Sequence, residues 1–189
     1  MTYYNDNDNA AKIFAEKYGY VKKYASDYMV YSKSPFETEP APVRQYLDTD
    51  YSEAHSFYAE AFHIMRLGTG CFPESVPEAP NEQMRKYWSD TDFERLVYLI
   101  GEEIAGYAHI VGDEIGSVSV KPAYQGRGIG EKFLKHIVNK LLDEGYKKIY
   151  LYCVVGNNNA KHLYEKLGFE TLCRIHYAVK NIHITGEEE

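Results

Sequence analysis

Between Val118 and Gly168 the chain alternates strand, glycine turn, helix and strand in an order that few folds accommodate. Ile129, Phe133, Leu134, Ile137, Val138, Leu141 and Leu142 recur at the spacing of one helical face, and Gly145 supplies a stop. Ile115–Val120 before this helix reads as a strand. Ile149–Val155 after it is apolar on both faces, as expected of a strand buried between two layers. A strand, a helix of this length and a second strand imply a parallel pair joined by a right-handed crossover. The turn into the helix is Gln125-Gly126-Arg127-Gly128-Ile129-Gly130. Glycines let a ligand approach the backbone, and the helix start adds the positive end of a dipole, so the turn is built for an anion such as a pyrophosphate. Two familiar phosphate loops do not match. A P-loop ends in Gly-Lys-Ser/Thr, but Glu131 follows Gly130 here. A dinucleotide loop needs G-x-G-x-x-G directly after a strand of a βαβ unit.

The flanking elements are simpler. Val43–Leu47 predicts a strand, and Ser52–Arg66 a helix, with Phe57, Ala61, Phe62 and Met65 on one stripe and Ser52 as N-cap. The stretch 67–80 is a loop by its Gly and Pro residues, and 81–88 a short helix. Phe93–Ile100 and Ile104–Val111, joined by Gly101-Glu102-Glu103, predict an antiparallel hairpin that Gly112-Asp113 extends into a meander. After the Ile149 strand, Ala160, Leu163, Tyr164 and Leu167 form a second helical stripe, capped at Asn157 or Asn158 and ended by Gly168. Phe169–Cys173 and His176–Lys180 are expected as two closing strands around a tight turn.

The chain also resembles itself. Asn9–Tyr31 overlays Asn158–Lys180 without a gap at an offset of 149, with Asn9, Ala11, Lys12, Glu16, Lys17, Gly19, Tyr28 and Val30 identical in the second copy. Two readings stand. Short helix-glycine-strand units can look alike, or residues 1–41 are the remnant of an upstream copy of the domain that occupies 42–189, with the prolines at 35, 40 and 42 marking a linker. In the first segment Ala11, Phe14 and Tyr18 share an apolar face that needs cover, on this chain or on a partner's equivalent surface.

Composition excludes more than it assigns. With 21 Lys and Arg against 28 Asp and Glu the net charge is −7, the wrong sign for a duplex nucleic-acid binder. No apolar run approaches the about 20 residues of a membrane-spanning helix, and the first residues lack a secretory signal pattern. Three cysteines without C-x-x-C spacing suggest neither a disulfide framework nor zinc, and His63, His136, His162 and His176 lack ligand spacing, so no metal and a cytoplasmic location are expected.

The segment Val118-x-Val120-x-Pro122-x-Tyr124-Gln125-Gly126-Arg127-Gly128-Ile129-Gly130 resembles the coenzyme A motif of the GNAT N-acetyltransferase superfamily. Asn157-x-x-Ala160-x-x-Leu163-Tyr164-Glu165-Lys166-Leu167-Gly168-Phe169 is similar to that family's second motif, in the right order and at the usual separation. The resemblance covers about residues 43–182. It implies an α/β (α+β) fold with a mixed, mostly antiparallel central sheet flanked by helices and a parallel strand-helix-strand unit at the cofactor site. It implies acetyl-CoA as co-substrate, direct transfer of an acetyl group to a primary amine in a ternary complex, and an acceptor that is a small molecule or a protein amine. By the resemblance, the backbone of Val118, Ser119 and Val120 pairs with the pantetheine arm. Gln125, Gly126, Gly128, Ile129 and Gly130 hold the pyrophosphate, with Arg127 either assisting or simply solvated. Asn157 contacts the pantetheine arm, caps its helix, or both. Tyr164 donates a proton to the leaving thiolate unless it is a core residue, and Glu114 stands where some members carry a base, with His109, Glu102 and Glu103 weaker candidates. The residues matching Tyr164 and Asn157 in the first copy are Ala15 and Asp8, so that copy is catalytically empty. The acceptor side falls to the stretch 52–88, where Glu74, Glu78 and Glu82 either hint at a cationic amine or are solvated. A non-catalytic acyl-CoA sensor is the competing function, and a homodimer the competing assembly.

Overall fold

The computed structural model describes residues 1–90 and 92–180, so the end of the expected 42–189 domain lies outside the described residues. Eight strands form one sheet: β1 (Thr2–Asn5), β2 (Val21–Tyr31), β3 (Val43–Gln45), β4 (Glu94–Ile100), β5 (Glu103–Val111), β6 (Glu114–Val120), β7 (Ile149–Val154) and β8 (Glu170–Val179). Their spatial order is β1-β8-β2-β7-β6-β5-β4-β3. Every neighbouring pair is antiparallel except β6 and β7. The helices are α1 (Asn9–Lys17), α2 (Tyr51–Gly68), α3 (Glu82–Asp90), α4 (Ile129–Asp143) and α5 (Asn158–Leu167). The mixed, mostly antiparallel sheet with a parallel strand-helix-strand unit is the expected fold class.

Two cores hold the sheet. On one face Phe133, Leu134, Ile137, Val138 and Leu141 of α4 bury against Ala108, Ile110, Ile115, Ile149 and Leu151. On the other, Tyr51, Ala54 and Phe57 of α2 and Trp88 of α3 pack on Val97, Ile104 and Tyr107. Entry to α2 differs from the expected Ser52 cap: a 3₁₀ turn, Asp48–Asp50, leads into it. Asp50 caps that turn by accepting from Leu47 N at 2.8 Å and takes a two-point ion pair from Arg44.

Two expectations are corrected. Glu170–Val179 is one continuous strand rather than two around a turn, because Arg174-Ile175 carries no turn residue and both its edges find partners, β1 and β2. The strand that closes against β7 is β2, from the N-terminal segment. β7 is buried on one face only: Ile149, Leu151 and Cys153 face α4 and α5, whereas Tyr152 on the other face is 43% exposed. In α1, Ala15 is buried, while Phe14 is 51% and Tyr18 47% exposed, their rings tilted together at 4.6 Å, so the described residues of this chain do not cover that face.

The internal match has a geometric counterpart. The pairs Thr2↔Ala178, Tyr3↔Tyr177, Tyr4↔His176 and Asn5↔Ile175 of β1 and β8 become Leu151↔Met29, Tyr152↔Tyr28, Cys153↔Asp27 and Val154↔Ser26 of β7 and β2 when shifted by the 149-residue offset. β2 and β8 pair symmetrically about Ser26↔Ile175. Both helices open alike, with Asp8 accepting from Ala11 N and Asn157 from Ala160 N. Both close on a left-handed glycine, Gly19 at φ 72° and Gly168 at φ 93°. Two β-α-β units thus interleave around a local two-fold axis. β1, which no sequence pattern announced, completes the first unit.

Candidate active site

Strands β6 and β7 meet as a parallel pair at a single position, Glu114↔Tyr150, and then diverge. The gap opens into a cleft of about 830 Å³. Val118, Ser119 and Val120 edge it from β6, Cys153 and Val154 from β7, and Tyr164 and Leu163 from α5. The far wall comes from Phe62 and Met65 of α2 and from Thr69 just after it. Phe62 and Met65 read in the sequence as part of a core stripe, and only the three-dimensional structure turns them toward the opening.

At one end of the cleft, Gln125, Gly126, Gly128, Ile129 and Gly130 line the wall. Gly126 and Gly128 hold φ of 75° and 77°, a region that other residues reach only with strain. Gly128 is the N-cap of α4, and no side chain caps that end. The first-turn N–H groups of α4 therefore face the cleft free of protein partners, which fits an anion. Gln125 Nε2 donates to Val120 O at 3.0 Å and pins the turn to the strand. Beside it Glu131 is held well below the carboxylate range, at about 2, by hydrogen bonds from Lys135 and Lys166 that outweigh its burial. Arg127 does not line the cleft: it is exposed and sits over the Tyr124 ring at 5.2 Å.

Tyr164 is half-buried on the cleft wall, 5.9 Å from the Phe169 ring. Burial, and secondarily the Cys153 thiol, push its pKa up, so the phenol keeps its proton across the physiological range. Cys153 is itself pushed up to about 11, chiefly by burial and then by Asp27, so it rests as a thiol. Asn157 lines the cleft and caps α5 at once, its Oδ1 accepting from Ala160 N at 3.4 Å.

The base candidates separate. Glu114 lies at the apex of the gap rather than on the cleft wall, accepting from Tyr150 Oη at 3.1 Å. Glu103 is engaged by Lys121 at 2.5 Å and by Tyr124, and Glu102 is an exposed turn residue. His109 is more engaged than the sequence suggests. Its Nδ1 is 2.7 Å from Ser117 Oγ, a cleft-lining hydroxyl, and its ring stacks on Phe93 at 5.2 Å. Burial, then Arg95, lowers its pKa to about 4. The imidazole occupies the space above Gly116, where a Cβ would overlap Nε2. A bulge in the β5–β6 ladder at this point is invisible in the residue pattern. Glu74, Glu78 and Glu82 are exposed, and none lines the cleft. Among the described residues no group of three His, Cys, Asp or Glu is placed to hold a metal ion.

The family model described as "Acetyltransferase (GNAT) family" matches residues 61–169, which contain the gap, the glycine turn, α4, β7 and α5. The chain belongs to the GNAT family. A mycothiol acetyltransferase of Corynebacterium glutamicum is 34% identical over 92 residues, covering 46% of this chain and 31% of the relative. The chain therefore spans about a third of the length of that relative. N-alpha-acetyltransferase 30 of Saccharomyces cerevisiae is 27% identical over 141 residues, 74% of this chain and 73% of the relative. A crystal structure of a GCN5-related N-acetyltransferase from Sphaerobacter thermophilus superposes with a TM-score of 0.64 at 18% identity, over 93% of this chain and 57% of that one, and confirms the GNAT fold. Among the described residues no helix is long and apolar enough to cross a membrane.

Proposed function

We propose that this GNAT chain transfers an acetyl group from acetyl-CoA to a primary amine, by direct attack while both substrates are bound. The observation that supports this reading most is the joining of two features in one cleft: an uncapped helix start behind two left-handed glycines, and a strand edge whose ladder partner has moved away. The first fits a pyrophosphate. The second leaves the β7 side of 118–120 without a strand partner, apart from the Gln125 Nε2 bond to Val120 O, and so open to an extended amide-bearing arm.

The thioester supplies an acyl carbon activated toward attack. The protein supplies position and protons. Tyr164, loaded with its proton, donates to the sulfur that leaves as the carbon–sulfur bond breaks. An alkylamine is mostly protonated at neutral pH and must lose a proton to attack. Glu114, at the apex of the gap, receives that proton, directly or through water.

Gly128→Asp tests the cofactor end, because it adds a carboxylate where the phosphate would sit. Calorimetry with acetyl-CoA should show affinity falling at least about tenfold. Release of free thiol from acetyl-CoA with a panel of amines tests turnover. Unchanged affinity in Gly128→Asp would refute the cofactor placement. Binding without thiol release for every amine would make the protein a sensor instead.

A further inference from the structure

On the sheet face away from α4 and α5, β7 and β2 present a tyrosine surface beside the cleft. Tyr28, Tyr150 and Tyr152 form a triangle with ring centroids 5.3, 5.5 and 5.9 Å apart. Glu114 stands at its edge, bonded by Tyr150 Oη at 3.1 Å. Tyr24 and Tyr177, stacked at 4.4 Å, continue the surface, and Phe72 from the loop after α2 leans on Tyr24 at 4.9 Å. Among the described residues no helix covers the triangle: Tyr28 and Tyr150 are half-buried and Tyr152 is exposed.

Position matters as much as composition. Glu114 and Tyr150 are the one ladder pair between β6 and β7, so this carboxylate lies where the gap begins. Tyr152 also lines the cleft and therefore belongs to both surfaces. A ligand held on the triangle therefore adjoins, through Tyr152, the cleft that Tyr164 lines. The chemistry is that of cation recognition. Aromatic faces attract an ammonium within about 6 Å, and a carboxylate at the rim supplies the opposite charge. Rings also cover the methylenes of a slender chain, which a purely acidic patch would leave in water.

We infer that Tyr28, Tyr150, Tyr152 and Glu114 form the acceptor subsite, and that its ligand is an alkylammonium, a primary amine borne on an unbranched aliphatic chain. The inference rests on the acetyl-transfer reading and names its acceptor class. Free diamines and the lysine side chain share this chemistry. One wall of the subsite, Tyr28, comes from the N-terminal segment, which otherwise carries none of the reaction's groups. That segment is therefore part of the specificity apparatus as well as of the sheet.

The test uses the full chain with 1,4-diaminobutane, a lysine-containing peptide and an uncharged aryl amine as acceptors, and tetramethylammonium as a non-reacting probe. Tyr28→Leu should raise the KM for the alkylamine about tenfold or more with kcat within about threefold and acetyl-CoA affinity unchanged, since it removes binding shared equally by the ground and transition states. Tyr28→Phe keeps the ring and should restore the wild-type KM, which a packing role at the hydroxyl would not. The lower KM of diamine or peptide identifies the source of the ammonium. Tetramethylammonium should shift the tyrosine ring resonances of the wild type, saturably, and less in Tyr28→Leu and Glu114→Gln. An unchanged KM in a folded Tyr28→Leu, or an aryl amine used as well as the alkylamine, would overturn the assignment. If acetyl-CoA does not bind at all, the acetyl-transfer reading fails, and the tetramethylammonium titration alone then decides the subsite: saturable shifts uphold it and their absence overturns it.

Discussion

Deleting residues 1–41 removes β1, α1 and β2, and the structure sets the size of the loss. β2 lies between β7 and β8 with both edges paired, so its removal leaves two facing strand edges with no partner. Met29, Val30 and Tyr31 are each at most 8% exposed. Burying a side chain of this size contributes about 1.5–3 kcal/mol, so the three together hold roughly 5–9 kcal/mol, an upper figure because denatured chains already bury some surface. Asp27 adds ion pairs to Lys161 of α5 at 2.6 Å and Arg174 of β8 at 2.7 Å. A typical domain is stable by about 5–15 kcal/mol in all. Residues 42–189 alone should therefore show no cooperative near-UV transition on heating. Adding residues 1–41 as a separate peptide should restore it, with a midpoint that rises with peptide concentration. A truncated chain that melts cooperatively within about 5 °C of the full chain, equivalent to about 2 kcal/mol at this size, would refute the reasoning.

Three further outcomes follow from the site and its supports. Asp27→Asn should lower stability by about 1–3 kcal/mol at pH 7 by urea unfolding, less than for a wholly buried pair because Lys161 and Arg174 can turn to water. Burial raises the Asp27 pKa, but the hydrogen bonds and charges of Arg174 and Lys161 together lower it on balance, so the deficit should shrink as the pH falls below about 4; a pH-independent deficit would point to packing instead. His109, lowered to about 4 mainly by burial, refuses a proton that the unfolded chain takes at about 6.5, so stability should fall by about 3 kcal/mol as pH drops through that window, and His109→Gln should flatten the slope. Gly116→Ala places a methyl in the imidazole's space and should cost about 1–3 kcal/mol and shift the His109 ring resonances; an unshifted ring would mean the strand moves instead.

The parts that were legible in the sequence are those whose signal is local. The stripe of α4, the glycines of its turn and the caps of α5 all act within a few residues, and the structure places them as read. What was illegible depends on partners distant in the chain. The apolar run of β7 looked two-sided because tyrosine counts as apolar, yet Tyr150 and Tyr152 face away from the helices. The end of the chain looked like a hairpin because the sequence shows a strand in the N-terminal segment but not that it takes the edge beside β7. The registry of β5 against β6 rests on a bulge, so neither the Ser117–His109 contact nor the overlap at Gly116 could be read from spacing.

The interleaved repeat explains why the N-terminal segment cannot be judged by its own sequence. Taken alone, a helix flanked by two strands buries too little to stand. Paired with its counterpart, each unit supplies the strand the other lacks: β8 is covered by β1 and β2, and β7 is covered by β2. An exchange of this kind is what two copies of a β-α-β unit would form across a two-fold axis, here within one chain. The registers repeat under the same offset as the sequence match, residue for residue, through four pairs. Chance similarity of helix-glycine-strand units accounts for the matched letters but not for the matched registers. We therefore favour duplication as the origin of residues 1–41. On that reading the two copies differ at the site positions: Asn157 and Tyr164 stand in the second, Asp8 and Ala15 replace them in the first, whereas Tyr28 of the first, which packs on Tyr152, has an identical counterpart in Tyr177.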